Sequence, residues 1–388
     1  MSEVRVNNLS NENNTGGPTI SGITTYSGRH FFVPPQGDTA SRPEDCEPGS
    51  LRFNTDSAHL EYFRGNTIGW VEVEAELTAP LGGGTGSNTG LGHRGTFTGG
   101  EPSISNNMDF ITIPTRGNAT DFGDYIISNG TGNRGQVSNS TSGFCYGGES
   151  PSAGDSHNTI GKHEFASTGS AIDFANLTFT SKGGPGCSNA TRGVAARGYG
   201  APSLDHEDVC FFTMASQQDA VDFGDLVSGS SYGGNGMASS TRGIIIPSRA
   251  PSGFVNSIEF CTIATTGNFQ DFGDAISANH TDFCMAAGNA TRGVMAGGQD
   301  SPNTQTDISF ITFASKGNAV KFGDLHTAHS YAASVSDSPT MVIAGGQGNT
   351  DRMDAIAILT GGTSVDFGNL TVSKAQMTGC SNGHGGLG

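Results

Sequence analysis

Along most of the chain, apolar residues alternate with polar ones in short runs that stop at Gly, Asn, Asp or Ser. Ile308-Ser-Phe-Ile-Thr-Phe313, Ile258-Glu-Phe-Cys-Thr-Ile263 and Met108-Asp-Phe-Ile-Thr-Ile113 are representative. A period of two puts alternate side chains on opposite faces of a strand, and the β-branched content suits a pleated surface. No stretch sustains the i, i+3, i+4 apolar spacing of an amphipathic helix. The pattern predicts an all-β chain.

The runs belong to a repeat. An Asp-Phe-Gly-Asp element, intact or degraded, is centred on Phe122, Phe174, Phe223, Phe272, Phe322 and Phe367, at spacings of roughly 45 to 52 residues. About 30 residues before most copies lies a second element, clearest in Asn289-Ala-Thr-Arg-Gly-Val-Met-Ala-Gly-Gly298 and Asn189-Ala-Thr-Arg-Gly-Val194. Its arginines are Arg94, Arg192, Arg242 and Arg292. Three or four short strands in about 50 residues match one blade of a kelch-type propeller, whereas an immunoglobulin-like unit needs about 100. The expectation is a six-bladed, kelch-like β-propeller over residues 77–388, with seven blades as the alternative.

Each repeated residue has a job in such a blade. The Phe is the natural wedge between neighbouring blades, and the Gly takes a backbone conformation closed to other residues. The flanking Asp side chains are suited to capping turns through backbone N–H groups. The Arg is suited to a bridge with a repeat Asp that fixes blade register. Closure is the awkward point: Asn369-Leu-Thr-Val-Ser-Lys with Gly379-Cys-Ser-Asn382 repeats Asn176-Leu-Thr-Phe-Thr-Ser-Lys with Gly186-Cys-Ser-Asn189. A weaker copy, Leu77-Thr-Ala-Pro with Gly86-Ser-Asn88, precedes the first repeat. One terminal half-unit would complete a blade begun at the other end, and the other would be spare or a link.

Residues 1–76 stand outside the repeat. Within them, 49–74 read as a three-stranded meander with Leu51 and Phe53 on one strand face and Leu60 and Tyr62 on another. A meander this small buries little by itself, so Leu51, Phe53, Tyr62 and Trp70 are candidates for packing on the propeller, on a second copy or on a partner.

Gly49-Ser-Leu-Arg-Phe-Asn-Thr, then Leu60-Glu-Tyr-Phe, then Gly69-Trp70, resembles a module of virion appendage proteins of tailed bacteriophages, particularly those infecting marine cyanobacteria. The repeat, with Thr291-Arg-Gly-Val-Met-Ala-Gly-Gly298 and Gly117-Asn-Ala-Thr-Asp-Phe-Gly-Asp124, is similar to kelch-like propellers of the same kind of protein. The resemblance implies a virion component in a tail, fibre or vertex appendage, commonly oligomeric and near the host-recognition surface. It supplies no catalytic residue.

Composition narrows the chemistry. The chain has 388 residues, 60 of them Gly, and a formal net charge of −17, which disfavours nucleic-acid binding and docking on an anionic membrane. The N-terminus has no signal-peptide pattern, and no apolar stretch is long enough for a membrane-spanning helix. Of seven cysteines, four fall in pairs at repeat-related positions (Cys210 with Cys261, Cys187 with Cys380), and all read as reduced thiols rather than disulfides or a zinc site. The Asp-Phe-Gly triplets lack every companion motif of a kinase, and Leu81-Gly-Gly-Gly-Thr-Gly86 lacks the lysine of a phosphate loop. His326 with His329, and the cluster Asp205-His-Glu-Asp208, are the nearest approaches to cation sites; the solvated reading is the default for both. No cofactor is expected.

Three functions compete. The first is a non-enzymatic virion protein, assembled in the bacterial host, whose propeller loops contact other virion proteins or a host-surface glycan or receptor. The least repeat-like loops, Tyr199 to Asp208, Glu149 to His163 and Ser248 to Asn256, are its contact candidates. The second is a carbohydrate-active enzyme, a depolymerase, with unique acids in the propeller channel. The third is a cellular kelch-type binding module.

Overall fold

The computed structural model describes residues 34–44, 46–57, 59–72, 93–101, 106–126, 135–149, 156–199, 206–228, 232–250, 253–300 and 303–387. The chain divides into two compact units, Met1–Leu77 and Thr78–Gly388. The described residues form strands and a few single 3-10 turns, with no α-helix.

In the first unit, Leu51–Asn54, His59–Phe63 and Trp70–Glu72 pair in antiparallel order. A two-residue strand, Gln36–Gly37, adds to Leu51–Asn54 in parallel. Two residues carry no periodicity, which is why this strand is invisible in the sequence. Register places Leu51 opposite Tyr62 and Phe53 opposite Leu60 on one face, with Arg52 opposite Glu61 and Phe63 opposite Trp70 on the other.

Among its described residues the second unit contains six four-stranded sheets, an arrangement compatible with a β-propeller. Five are built from consecutive chain. They begin with the inner strands Gly135–Ser138, Gly186–Ser188, Asn235–Ala238, Met285–Gly288 and Ala333–Ser336. The remaining sheet takes Arg94–Thr98, Asn107–Thr112 and Thr120–Asp124 from the start of the unit and Thr378–Ser381 from its end. All pairings within these sheets are antiparallel. The terminal half-units are thereby accounted for in part. Gly186–Ser188 and Thr378–Ser381 are inner strands, each entered from a ten-residue outer strand, Ile172–Ser181 or Val365–Lys374. The weaker copy at 77–88 lies outside the described residues.

Hydrophobic clusters lie between sheets rather than within them. One joins Met237, Phe260 and Phe272 to Met295, Ile311 and Phe313 of the following sheet. Another joins Val342, Met353 and Phe367 near the end of the unit to Phe97 and Ile111 near its beginning. Every successive pair of sheets shares such a cluster.

Candidate functional site

The repeated Phe sits at these seams. Phe122, Phe174, Phe223, Phe272 and Phe367 are buried, and Phe322 packs against its cluster half-buried. Each Phe is also a backbone staple or lies beside one. The carbonyls of Phe122, Phe223, Phe272 and Phe367 accept hydrogen bonds of 2.7–3.0 Å from Gly169, Gly267, Gly317 and Gly117. The next residue must be glycine: at Gly123, Gly224, Gly273 and Gly368 φ lies between 139° and 151°. A Cβ there would collide with the carbonyl of the glycine on the adjoining sheet.

Two expected contacts are corrected. Among the described residues the flanking Asp side chains do not cap these turns; instead the backbone that follows Gly224 and Gly273 is capped from across the seam. Asp225 N and Asp274 N donate to the Asn268 and Asn318 side chains at 3.2 and 3.0 Å. Nor, among the described residues, do the repeat arginines bridge to repeat aspartates. Arg94, Arg192, Arg242 and Arg292 donate to main-chain carbonyls of the next sheet, at Phe165, Ile263, Phe313 and Ile358. Each guanidinium also lies over a ring of its own sheet: Phe110, Phe211, Phe260 or Phe310, at 4.2–4.9 Å from the centroid. A planar cation can stack and donate at once, and a carbonyl spares the desolvation of a second charge.

The inner strands neighbour one another in chain order, and the last, Ala333–Ser336, lies against Thr378–Ser381. One end of the space between them is filled by Asn382–Leu387. There His384 Nδ1 accepts from Gly386 N at 3.1 Å, so Nε2 carries the proton and donates to the Ser138 carbonyl at 2.9 Å. Burial pushes the His384 pKa down to about 4, keeping the ring neutral. Side chains at Gly385 or Gly386 would run into the carbonyls of Ala238, Asn289 and Ser188.

The opposite end is a recess of about 100 Å³. Phe283 and Tyr331 line it with their rings stacked, centroids 3.7 Å apart, and Tyr232 meets Phe283 edge-on at 5.5 Å. Tyr199 continues the arc at 6.1 Å from Tyr232. Phe283, Tyr331 and Gln376 have φ of 48°, 56° and 58°, at the position that Gly183 and Gly233 occupy in two other sheets. Left-handed backbone at a bulky residue costs on the order of 1–3 kcal/mol and is kept where something requires it. Beneath the rings, Gln136 is only 8% exposed and donates through Nε2 to Cys380 Sγ at 2.7 Å. Its Oε1 has no hydrogen-bond partner among the described residues.

Each of the three contact loops expected from sequence has a residue at this end. Tyr199 pairs with Lys182 beside the recess, Glu149 forms an ion pair with the same Lys182 at 2.5 Å, and the Ser248 hydroxyl bonds the Tyr232 carbonyl. Residues 150–155, 200–205 and 251–252 of these loops lie outside the described residues. Sequence reasoning missed the aromatic arc because its repeat position holds glycine, an aromatic or glutamine in different sheets, which hides the equivalence.

The attachment candidates divide between two faces. Leu51 (44% exposed), Phe53 and Tyr62 share the open face of the first unit's sheet with Leu60. Trp70 packs on the other face, 5.5 Å from Phe63, with Nε1 donating to the Pro43 carbonyl at 3.1 Å. That face buries charge: Glu61 pairs with Arg42 at 2.6 Å and with Arg52 at 3.4 Å and accepts from Asn54.

The remaining sequence candidates fall apart. His329 is held between the Gly345 carbonyl and Asp354, and Asp208 pairs with Arg197. Among the described residues no His, Cys, Asp and Glu cluster is arranged to hold a metal ion, and all seven cysteines are free thiols. No helix there is long and apolar enough to cross a membrane. The chain matches no family model and no curated protein sequence.

Proposed function

We propose that this chain is a structural protein of a tailed-phage particle, in a tail, fibre or vertex appendage. Its first unit attaches it, and its second is a closed, six-bladed, kelch-like propeller that displays one loop face. Six blades rather than seven are supported by the six four-stranded sheets among the described residues, the first completed by Thr378–Ser381. Closure is supported by the Gly117 N–H donating to the Phe367 carbonyl across the last seam. Such a disk is stiff because every seam is both packed and hydrogen-bonded, and rigidity suits a display platform.

The observation that carries the attachment role is the inverted sheet of the first unit. Its charged face is internal, and its apolar row, Leu51, Phe53, Leu60 and Tyr62, stays partly open. A folded sheet pays for exposing such a row only when another surface covers it. In the virion, other particle proteins or further copies of this chain would be that surface. The test is incorporation: phage produced with a chain lacking residues 1–76 should carry none of it after purification, while the full chain is retained. Truncated chain found in purified particles at full-length occupancy overturns the attachment role.

A further inference from the structure

We propose that the recess bearing Phe283 and Tyr331 binds the terminal unit of a neutral saccharide. This deepens the display reading, on which it rests only for the origin of the sugar. Three independent features converge there. The part-exposed ring of Tyr331, stacked on the buried ring of Phe283, lines the recess, and left-handed backbone holds both residues in a sheet position where glycine serves elsewhere without strain. The cost of that conformation keeps aromatic surface at a place where the seams already have their own clusters. Aromatic faces take the C–H face of a pyranose, as they take other flat apolar surfaces.

The second feature is the acceptor at the bottom. Gln136 Oε1 is buried without a partner among the described residues, while its amide N–H is already committed to Cys380. A lone acceptor calls for a donor, and a sugar hydroxyl supplies one. Ser334 stands nearby with its hydroxyl proton given to the Ala286 carbonyl, leaving its oxygen as a second acceptor.

The third feature is charge. The chain carries a formal −17, yet no Asp, Glu, Lys or Arg lines the recess among the described residues. An ionised ligand would meet no counter-charge and an acidic surround, so the fitting ligand is uncharged. Because Asn382–Leu387 fills the far end, a saccharide chain enters by its end and does not thread through.

The experiment uses the full chain in solution with lactose, maltose, cellobiose and mannobiose, and with sialyllactose as the charged counterpart of lactose. Binding is read by saturation-transfer NMR and calorimetry. At least one neutral disaccharide should bind. Tyr331→Gly suits the φ of 56° while deleting the ring, so it should fold normally and weaken that binding about tenfold. Gln136→Met, which deletes the acceptor together with the Nε2–Cys380 hydrogen bond while keeping the side-chain volume, should weaken it too. The proposal is overturned if no neutral disaccharide binds, if sialyllactose is preferred, or if folded Tyr331→Gly and Gln136→Met bind like the parent. Since no particle enters the assay, its failure leaves the virion assignment standing, and failed incorporation leaves the sugar site standing.

Discussion

In the sheet of residues 36–72 the internal face is the charged one, while the seams between sheets of the repeat unit are filled by aliphatic and aromatic clusters. Glu61 is wholly buried with Arg42 and Arg52 beside it, and Leu51 on the opposite face is 44% exposed. Across the seams of the repeat unit, Phe122, Phe223 and Phe272 are each at most 2% exposed. A self-sufficient unit puts its apolar surface inside, whereas a unit built to be covered can leave that surface out and stabilise its interior with paired charge. Such a pairing is specific but contributes little net stability, since desolvation offsets most of the attraction.

Acid should separate the two units most. Burial depresses His163, His280 and His384 to about 4 in the folded repeat unit, against an ordinary value near 6.5. The unfolded chain therefore binds more protons as pH falls, so this stability is complete above about 6.5 and drains away toward 4, by several kcal/mol in all. Asp337, pushed up to about 6 by burial, works the other way and offsets part of it, because folding favours its protonated form. In the first unit, the hydrogen bond from Arg42 holds Glu61 below its ordinary 4.5. Its stabilisation is present above 4.5 and lost as pH falls through the folded value. Trp70, the only tryptophan, reports the first unit alone. Circular dichroism of the repeat unit should soften between about pH 6.5 and 4.5 while Trp70 fluorescence holds steady. A Trp70 transition that comes first breaks the comparison.

Next in size is Phe272→Ala. It should cost about 3–5 kcal/mol, seen in urea unfolding of the repeat unit with the Trp70 transition unmoved. A cost below about 1 kcal/mol would mean the seam repacks and the wedge role is wrong. The smallest effect is expected from Arg242→Lys. Lysine keeps the charge but loses the flat stacking surface over Phe260 while still reaching for the Phe313 carbonyl. About 1 kcal/mol is expected from the same urea series, and a neutral outcome would assign the register of this seam to Phe272 and the glycine staples alone.

Much of the repeat unit could be read ahead of the coordinates because its strands obey a period of two and its turn residues recur. The all-β class and the four-stranded sheets follow from runs such as Ile308–Phe313. What escaped was set by contacts between sheets, which no local pattern encodes. The arginines were matched to the nearest opposite charge in the motif, but their partners are carbonyls 66 to 71 residues further on. The Asp caps failed likewise, because Asn268 and Asn318 reach the same N–H groups from the neighbouring sheet. In the first unit, alternation correctly grouped Leu51 with Phe53, but alternation cannot say which face is covered. There the polar set of Arg52, Asn54 and Glu61 occupies the interior. The aromatic recess was out of reach for a different reason: left-handed backbone at Phe283 and Tyr331 contradicts their propensities, and such exceptions are where function concentrates.

The strand Thr378–Ser381 has a consequence in time as well as in space. Its partner emerges from the ribosome far earlier, and Thr96 and Cys380 are 284 residues apart. Throughout that interval Arg94–Thr98 waits with one row of backbone N–H and C=O groups unmet, an invitation to any passing β-edge. The entropy of joining such distant segments grows only slowly with the length between them, but finding the pairing is slow. Nascent chains crowded on one message would thus be at greatest risk of mispairing with one another just before the final sheet is completed.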